Sequence, residues 1–408
     1  MPSQLILGRR TRPAQAVGFV HRAVQESEDL ITYSGESHLI TFAPTGMGKT
    51  SGPVICNALR HRGQLVVLDM KGEVHAATAE ARRAMGQSVH VLDLRDGMPS
   101  DSLNPLDMVL RSGSDIAAVA RSFAAELIER GEERDRFWND WGENLITGGI
   151  CWMLADREPE ERRLSRLYDL FTADDVDYRI ACLLDQKEVC HRAAKAAFVS
   201  YLQLPERETR PSVLGTALTH LRLFDSDLTR RLTDTTTLDI DAFIAGEPMS
   251  LYIIVPPSRL TAYRPLLRMW LSGLLLTLTQ RKSPPPDRTL MLCDEIGNLG
   301  RLDALVTAAT LLRSWGFTLW TFWQNTAQLQ IYGSQANTIV DNAGVIQLFG
   351  VRNKRMAQDF ANLVGGIAAD EVLQMPHDQQ ILLIDGKMAR CRQIRYYQDR
   401  EFRESAKA

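Results

Sequence analysis

The chain has 408 residues, 45% of them hydrophobic and 24% charged, with a formal net charge of −3. That length and balance suit a soluble globular protein of two domains, or one domain with a large insertion. So small a net charge excludes a whole-surface attraction to nucleic acid, leaving only local basic clusters for such contacts.

The six cysteines (Cys56, Cys151, Cys182, Cys190, Cys293 and Cys391) include no CxxC pair, and several fall in apolar runs. This is the pattern of a reducing compartment, not of a disulfide framework or a zinc site. The most apolar segment, Leu266 to Leu278, is interrupted by Arg268 and falls short of the roughly 20 residues that span a bilayer. The first 30 residues have no signal-peptide core. A cytoplasmic protein is expected.

Residues 1–38 read as a polar lead-in, with Arg9, Arg10 and Arg12 either solvated or touching phosphate or acidic lipid. Leu39 to Phe42 reads as a buried strand. The next segment, Ala43-Pro44-Thr45-Gly46-Met47-Gly48-Lys49-Thr50, cannot continue it, because a proline and two glycines fall within five positions. A helix then runs to about Arg60. Strand, glycine-rich loop, Lys-Thr and helix form the phosphate-binding P-loop, with Ala43 where the pattern usually begins with glycine. The loop turns its N–H groups into one concavity and the helix start adds partial positive charge. Lys49 would neutralise the β/γ-phosphates of ATP, and Thr50 would offer its hydroxyl to Mg²⁺.

Gln64 to Asp69 reads as a second buried strand, with Asp69, Lys71 and Glu73 either facing the ligand from its carboxyl end or forming a plain charged turn. A helix near Ala76–Met85 and a strand over Ser88–Leu94 follow. From residue 112 to about 205 the periodicity is helical. Ile116, Val119, Phe123 and Leu127 share one face with Ser114 as N-cap, and 136–155 is an aromatic-rich amphipathic helix. Shorter helices are expected at 176–185 and 189–203. Glu206–Pro211 reads as a linker, Ser212–Phe224 as a helix, Leu238–Phe243 as the approach to a strand over Ser250–Val255, and 261–280 as an apolar helix.

Thr289–Cys293 is an apolar strand that ends in Asp294-Glu295. Beside a P-loop, two carboxylates there suit a metal–phosphate site: Asp294 would hold Mg²⁺ opposite Thr50, and Glu295 would orient and deprotonate the attacking water. A helix reaching Arg313 follows, then a strand over Phe317–Phe322. Gln324, just after that strand, could sense the γ-phosphate or simply cap it. Val345–Phe349 and Ile381–Ile384 are later strands, with Cys391–Tyr396 at the sheet edge. Arg352, Lys354 and Arg355 form a basic cluster read as a solvated face.

Taken together, the chain resembles the TraG-like conjugative coupling proteins of type IV secretion, which are RecA-like motor ATPases related to FtsK. The resemblance rests on Ala43–Thr50, Asp69-Met70-Lys71-Gly72-Glu73 and Leu103-Asn104-Pro105-Leu106. It continues through Phe137-Trp138, Asp294-Glu295 with Leu299-Gly300, and Gln324-Asn325-Thr326-Ala327-Gln328-Leu329 with Tyr332-Gly333. It implies an α/β RecA-like P-loop NTPase with a mostly parallel central sheet flanked by helices, and an inserted all-α domain. The expected segments are 1–111 and 206–408 for the nucleotide-binding domain and 112–205 for the insertion. It also implies a homo-hexamer in which Arg313 completes the neighbouring subunit's site, worth about 10³ to 10⁵ in rate. The expected partners are single- or double-stranded DNA, or a relaxase–DNA complex, and the secretion channel.

Most relatives carry a transmembrane anchor before the motor, whereas 42 residues precede Ala43 here. A soluble form docked on a separate membrane anchor, peripheral at the inner membrane, is one alternative; a chain whose anchor was removed is the other. The function expected is ATP-driven delivery of cargo to the channel. Two alternatives stay open: a soluble FtsK/HerA-like DNA pump in recombination, packaging or defence, and a non-motor cargo adaptor with a structural ATP site.

Overall fold

A computed structural model of the chain describes residues 4–10, 30–128 and 136–406. Among these residues the β-branched and aromatic runs become eleven strands of one sheet: β1 Leu5–Arg10, β2 Leu30–Tyr33, β3 His38–Phe42, β4 Leu65–Asp69, β5 Ser88–Asp93, β6 Met249–Ile254, β7 Thr289–Cys293, β8 Phe317–Trp323, β9 Ala343–Phe349, β10 Gln379–Ile384 and β11 Lys387–Arg392. Their order is β2-β1-β11-β10-β9-β3-β8-β7-β4-β6-β5. The six strands from β9 to β6 run parallel, and the four beyond β9 are antiparallel. β3, β4, β6, β7 and β8 are buried at every residue, as strands covered on both faces must be. A P-loop strand separated from the next strand in sequence by two later ones, here β8 and β7, is the RecA-like P-loop NTPase arrangement.

Two expectations at the far side of this sheet are corrected. Cys391 lies in β11, inside the sheet between β10 and β1, and among the described residues β2 is the edge. The reason is the leading segment: Leu5, Ile6 and Leu7 are buried and extend the sheet as β1. Arg9 there is paired with Asp399 at 2.8 Å; Arg12 lies outside the described residues.

The chain divides into two compact units: 1–91 with 245–257 and 282–408, and 92–244 with 258–281. The second is helical and takes in more chain than the 112–205 read from periodicity. The helix Pro105–Arg111 and the helix Leu260–Thr277 bury Leu106, Val109 and Met269 in its core. Trp270 donates to the Leu103 carbonyl at 2.8 Å, and Arg268 is buried beside Glu126 at 3.6 Å. Among the described residues no helix is long and apolar enough to cross a membrane.

Local chemistry moved three boundaries in this unit. Asp115 caps the helix Ile116–Leu127 in place of Ser114, because its carboxylate reaches the Ala118 N–H at 2.9 Å. Pro211, read as linker, sits in the first turn of the helix Thr209–Leu221, where its missing N–H costs nothing. Residues 240–245 are helical, Asp239 accepting from the Ala242 N–H at 2.9 Å.

In the sheet unit, Arg82 is buried without exposure on the helix Glu73–Ala84. It donates to the carbonyls of Ala58, His61 and Gly63 and to Ser250 and Gln87, tying three segments together. His61, beside it, holds the Arg288 carbonyl at 2.8 Å. Burial, helped by the Arg82 charge, pushes its imidazole down to about 4. The folded state therefore favours neutral His61. The associated stability is complete above pH 6.5 and is lost as pH falls toward 4, about 3 kcal/mol at the limit. The stability difference between wild type and His61→Gln should shrink by that order between pH 7 and 4 in urea unfolding. A pH-independent difference would contradict the buried neutral imidazole.

Candidate active site

β3 ends at Phe42, and the Ala43 N–H continues the ladder to the Trp323 carbonyl at 2.9 Å. Gly46 at φ 79° and Gly48 at φ 94° then occupy the left-handed region, which turns the chain out of the sheet. Lys49 is only 4% exposed. Its Nζ donates to the Ala43 carbonyl at 2.7 Å and pairs with Glu295 Oε1 at 2.9 Å. The helix expected after Thr50 begins as a widened turn, Thr50–Val54, before regular helix at Ile55–Arg60. Pro53 supplies no N–H, and Gly52 leaves helical geometry at φ −101°, ψ −105°.

Opposite the loop, β7 delivers Asp294 and Glu295. Thr50 Oγ1 donates to Asp294 Oδ2 at 2.6 Å. Asp294 Oδ1 is buried with no hydrogen-bond partner. Burial pushes the Asp294 carboxyl up to about 6; the Thr50 hydroxyl opposes the shift, and the Glu295 charge adds to it. Consecutive side chains on a strand face opposite ways, but Glu295 sits at φ 54°. That left-handed turn, costing about 1–2 kcal/mol, brings both carboxylates to the loop. Glu295 Oε2 accepts from Gln324 Nε2 at 2.7 Å, just beyond the end of β8. Lys49, Thr50, Asp294, Glu295 and Gln324 thus form one bonded cluster at the carboxyl edge of three neighbouring parallel strands.

Gln328 is held in the same cluster, and sequence reasoning gave it no role. Its Oε1 accepts from the Gln324 N–H at 2.8 Å, and Asn325 Oδ1 accepts from its own N–H at 3.2 Å. A Cβ on Gly297 would meet Gln328 Cδ at 2.7 Å. The turn carrying Glu295 therefore leans on the segment carrying Gln324. A glutamine four residues after a strand-end glutamine was the available signal.

Asp69 stands on the same edge but is not free for ligand. Its Oδ1 accepts from the N–H groups of Lys71 and Gly72 at 3.2 and 2.8 Å, and its Oδ2 from His75 at 2.9 Å. Lys71 and Glu73 point to solvent and face each other at 3.7 Å. The plain charged turn is the reading that matches.

Arg313 is elsewhere. The helix Asp303–Leu311 stops short of it, and it lies in the tight turn Leu312–Trp315 that leads into β8, at the amino edge of the strands. Its half-exposed guanidinium is 3.8 Å from Glu36. It does not reach the P-loop of its own chain.

Two other arginines do approach the loop. Arg352, from the cluster read as a solvated face, has Nη2 3.5 Å from the Thr45 carbonyl. Arg395, which no motif flagged, donates from Nη2 to the Met47 carbonyl at 3.1 Å.

The family described as type IV secretory system conjugative DNA transfer matches residues 4–369. The conjugal transfer protein TraG of Agrobacterium fabrum is 29% identical over 329 residues, covering 74% of this chain and 47% of that protein. Protein VirD4 of Rhizobium radiobacter is 27% identical over 292 residues, covering 69% and 41%. The chain therefore spans about half the length of the curated relatives it matches. Among solved structures, plasmid coupling protein TrwB in complex with ADP and Mg²⁺ superposes with a TM-score of 0.67, covering 96% of this chain and 95% of that one at 16% identity, a likeness of fold. A match over nearly the whole length, carrying the P-loop and the Asp-Glu strand end together, means that the chain belongs to the type IV secretory system conjugative DNA transfer family, the coupling proteins.

Proposed function

We propose that this chain is the ATP-hydrolysing motor of a conjugative coupling protein, moving DNA or a relaxase–DNA complex to a type IV secretion channel. One observation carries the reading: Thr50 Oγ1 lies 2.6 Å from Asp294 Oδ2 while the buried Asp294 Oδ1 has no partner. A hydroxyl and a carboxylate so placed fit Mg²⁺, and the unmatched oxygen is the kind of buried acceptor a cation satisfies. Thr50 and Asp294 would hold Mg²⁺ there, and the ion would supply charge neutralisation for a bound phosphate tail. Solved structures of TrwB support the same ligands, since one is a complex with ADP and Mg²⁺ and another a complex with a non-hydrolysable ATP analogue.

The chain's own residues divide the remaining work. Gly46, Met47 and Gly48 shape the cradle between Ala43, Pro44, Thr45 and the helix start. Lys49 exchanges its pairing with Glu295 for the phosphate tail. That exchange releases Glu295 to orient water and take its proton. Gln324, bonded to the other Glu295 oxygen, reports the γ-phosphate to that base. Arg313 acts on the site of a neighbouring subunit in a hexameric ring. DNA, the channel components and a separate membrane anchor are the proposed partners, with the protein cytoplasmic or peripheral at the inner membrane.

The test is Mg²⁺-dependent ATP turnover by the purified protein with and without DNA, alongside conjugative transfer in cells. Wild type should hydrolyse ATP faster with DNA, and Lys49→Ala should abolish both turnover and transfer. Transfer that survives Lys49→Ala would leave the protein a non-motor adaptor.

A further inference from the structure

The carboxyl-terminal segment after β11 crosses the P-loop at three points. The Tyr396 N–H donates to the Ser51 carbonyl at 2.9 Å. The Ile394 carbonyl lies so close to Gly52 that a Cβ there would meet it at 2.6 Å. The Arg395 guanidinium covers Gly48, where a Cβ would fall within it, and bonds the Met47 carbonyl at 3.1 Å and Gln393 Oε1 at 3.3 Å. The widened turn at Thr50–Val54 explains the access. Pro53 and the non-helical Gly52 open the first turn, and the Ser51 carbonyl turns outward to the strap.

The strap's position relative to a bound nucleotide follows from the loop. A nest turns its N–H groups inward to the phosphates and its carbonyls outward. A phosphate tail cradled along Gly46 to Thr50 would leave the rest of the molecule to emerge near Ser51 and Gly52, where the segment 394–397 packs. Arg395 brings a planar cation, which stacks on aromatic faces and donates to hydroxyls. Tyr397 is 47% exposed, with its ring edge-on to the half-buried Tyr396 at a centroid distance of 5.6 Å, so it has a free aromatic face.

We propose that the strap Gln393–Tyr397 is the nucleoside side of the ATP site, with Arg395 and Tyr397 binding the sugar and base and not the phosphate tail. This rests on the reading of Lys49, Thr50 and Asp294 as a triphosphate site and adds the part of the ligand that those residues leave unbound. It gives the segment a role that a strand-edge extension lacks: nucleoside binding draws Arg395 off the Met47 carbonyl and ties the last strand of the sheet to nucleotide occupancy.

Competition between a fluorescent nucleotide and two ligands, Mg·ADP and inorganic Mg·tripolyphosphate, tests it. Arg395→Ala and Tyr397→Ala should each weaken ADP roughly tenfold or more, and leave tripolyphosphate within about twofold of wild type. Tyr397→Phe should keep wild-type affinity, because stacking needs only the ring. Equal loss of both ligands in the two alanine variants would mean the strap merely props the loop, and unchanged ADP affinity in both would mean it touches nothing; either result overturns the proposal. Tyr397 is exposed, so its variant reads binding even if Arg395→Ala folds poorly. Wild-type protein that binds neither ligand overturns the triphosphate site itself, and the strap's role with it.

Discussion

Glu295→Gln should yield a protein that holds ATP but has lost about two to four orders of magnitude in turnover. The substitution keeps the shape of the side chain and the hydrogen bond to Gln324, now amide to amide. It removes the negative charge that pairs with Lys49 at 2.9 Å and the basicity needed to take a proton from water. In the nucleotide-free protein Lys49 loses that partner, so its attraction to phosphate is no longer in competition. Affinity for ATP should therefore be unchanged or tighter while hydrolysis stops. Equilibrium binding together with single-turnover kinetics separates the two effects. A variant that turns over within about threefold of wild type would remove Glu295 as the base and leave Asp294 or a relayed water in its place.

Arg313→Ala should cost about 10³ to 10⁵ in turnover without destabilising the fold. Its ion pair with Glu36 at 3.8 Å joins two half-exposed side chains, and pairs of that kind contribute little. The loss must then come from a site outside its own chain, because the residue sits at the amino edge of β8 and the P-loop at the carboxyl edge of β3. Subunit mixing decides this. Arg313→Ala and Glu295→Gln proteins, each inactive alone, should recover activity when combined. In a mixed ring, a subunit with intact Glu295 can meet a neighbour with intact Arg313. Mixtures as inactive as their components would return Arg313 to an ordinary surface charge.

Much of this site was legible in the sequence because each piece obeys a short-range rule. A proline and two glycines in five residues cannot stay in a strand, and the helix that follows Lys49-Thr50 is expected, though not its widened first turn. The apolar run Thr289–Cys293 reads as a buried strand and gains its meaning from the upstream P-loop, which makes Asp294 and Glu295 at its end a metal–phosphate pair. The sheet's parallel register then brings these pieces together. Elsewhere short-range rules conflict, or a distant partner decides. Ser114 and Asp115 are both good caps, and only the built turn selects the carboxylate. Leu238–Phe243 has too few residues for its period to distinguish helix from extended chain. Leu5–Arg10 is a strand because β2 and β11 flank it, and β11 is almost 400 residues away in sequence. Arg395 belongs to the same class: no local pattern connects position 395 to position 47.

The placement of β8 has one further consequence. It is seven residues long, buried throughout, and hydrogen-bonded on both sides by β3 and β7. Gln324 follows its carboxyl end, and the turn Leu312–Trp315 that carries Arg313 precedes its amino end, so one strand of about 20 Å separates them. If Gln324 reads the γ-phosphate of its own subunit and Arg313 serves the next, loss of phosphate at one site displaces the finger at another directly. Firing around the ring would then be sequential, each stroke licensing its neighbour, with no separate timing element.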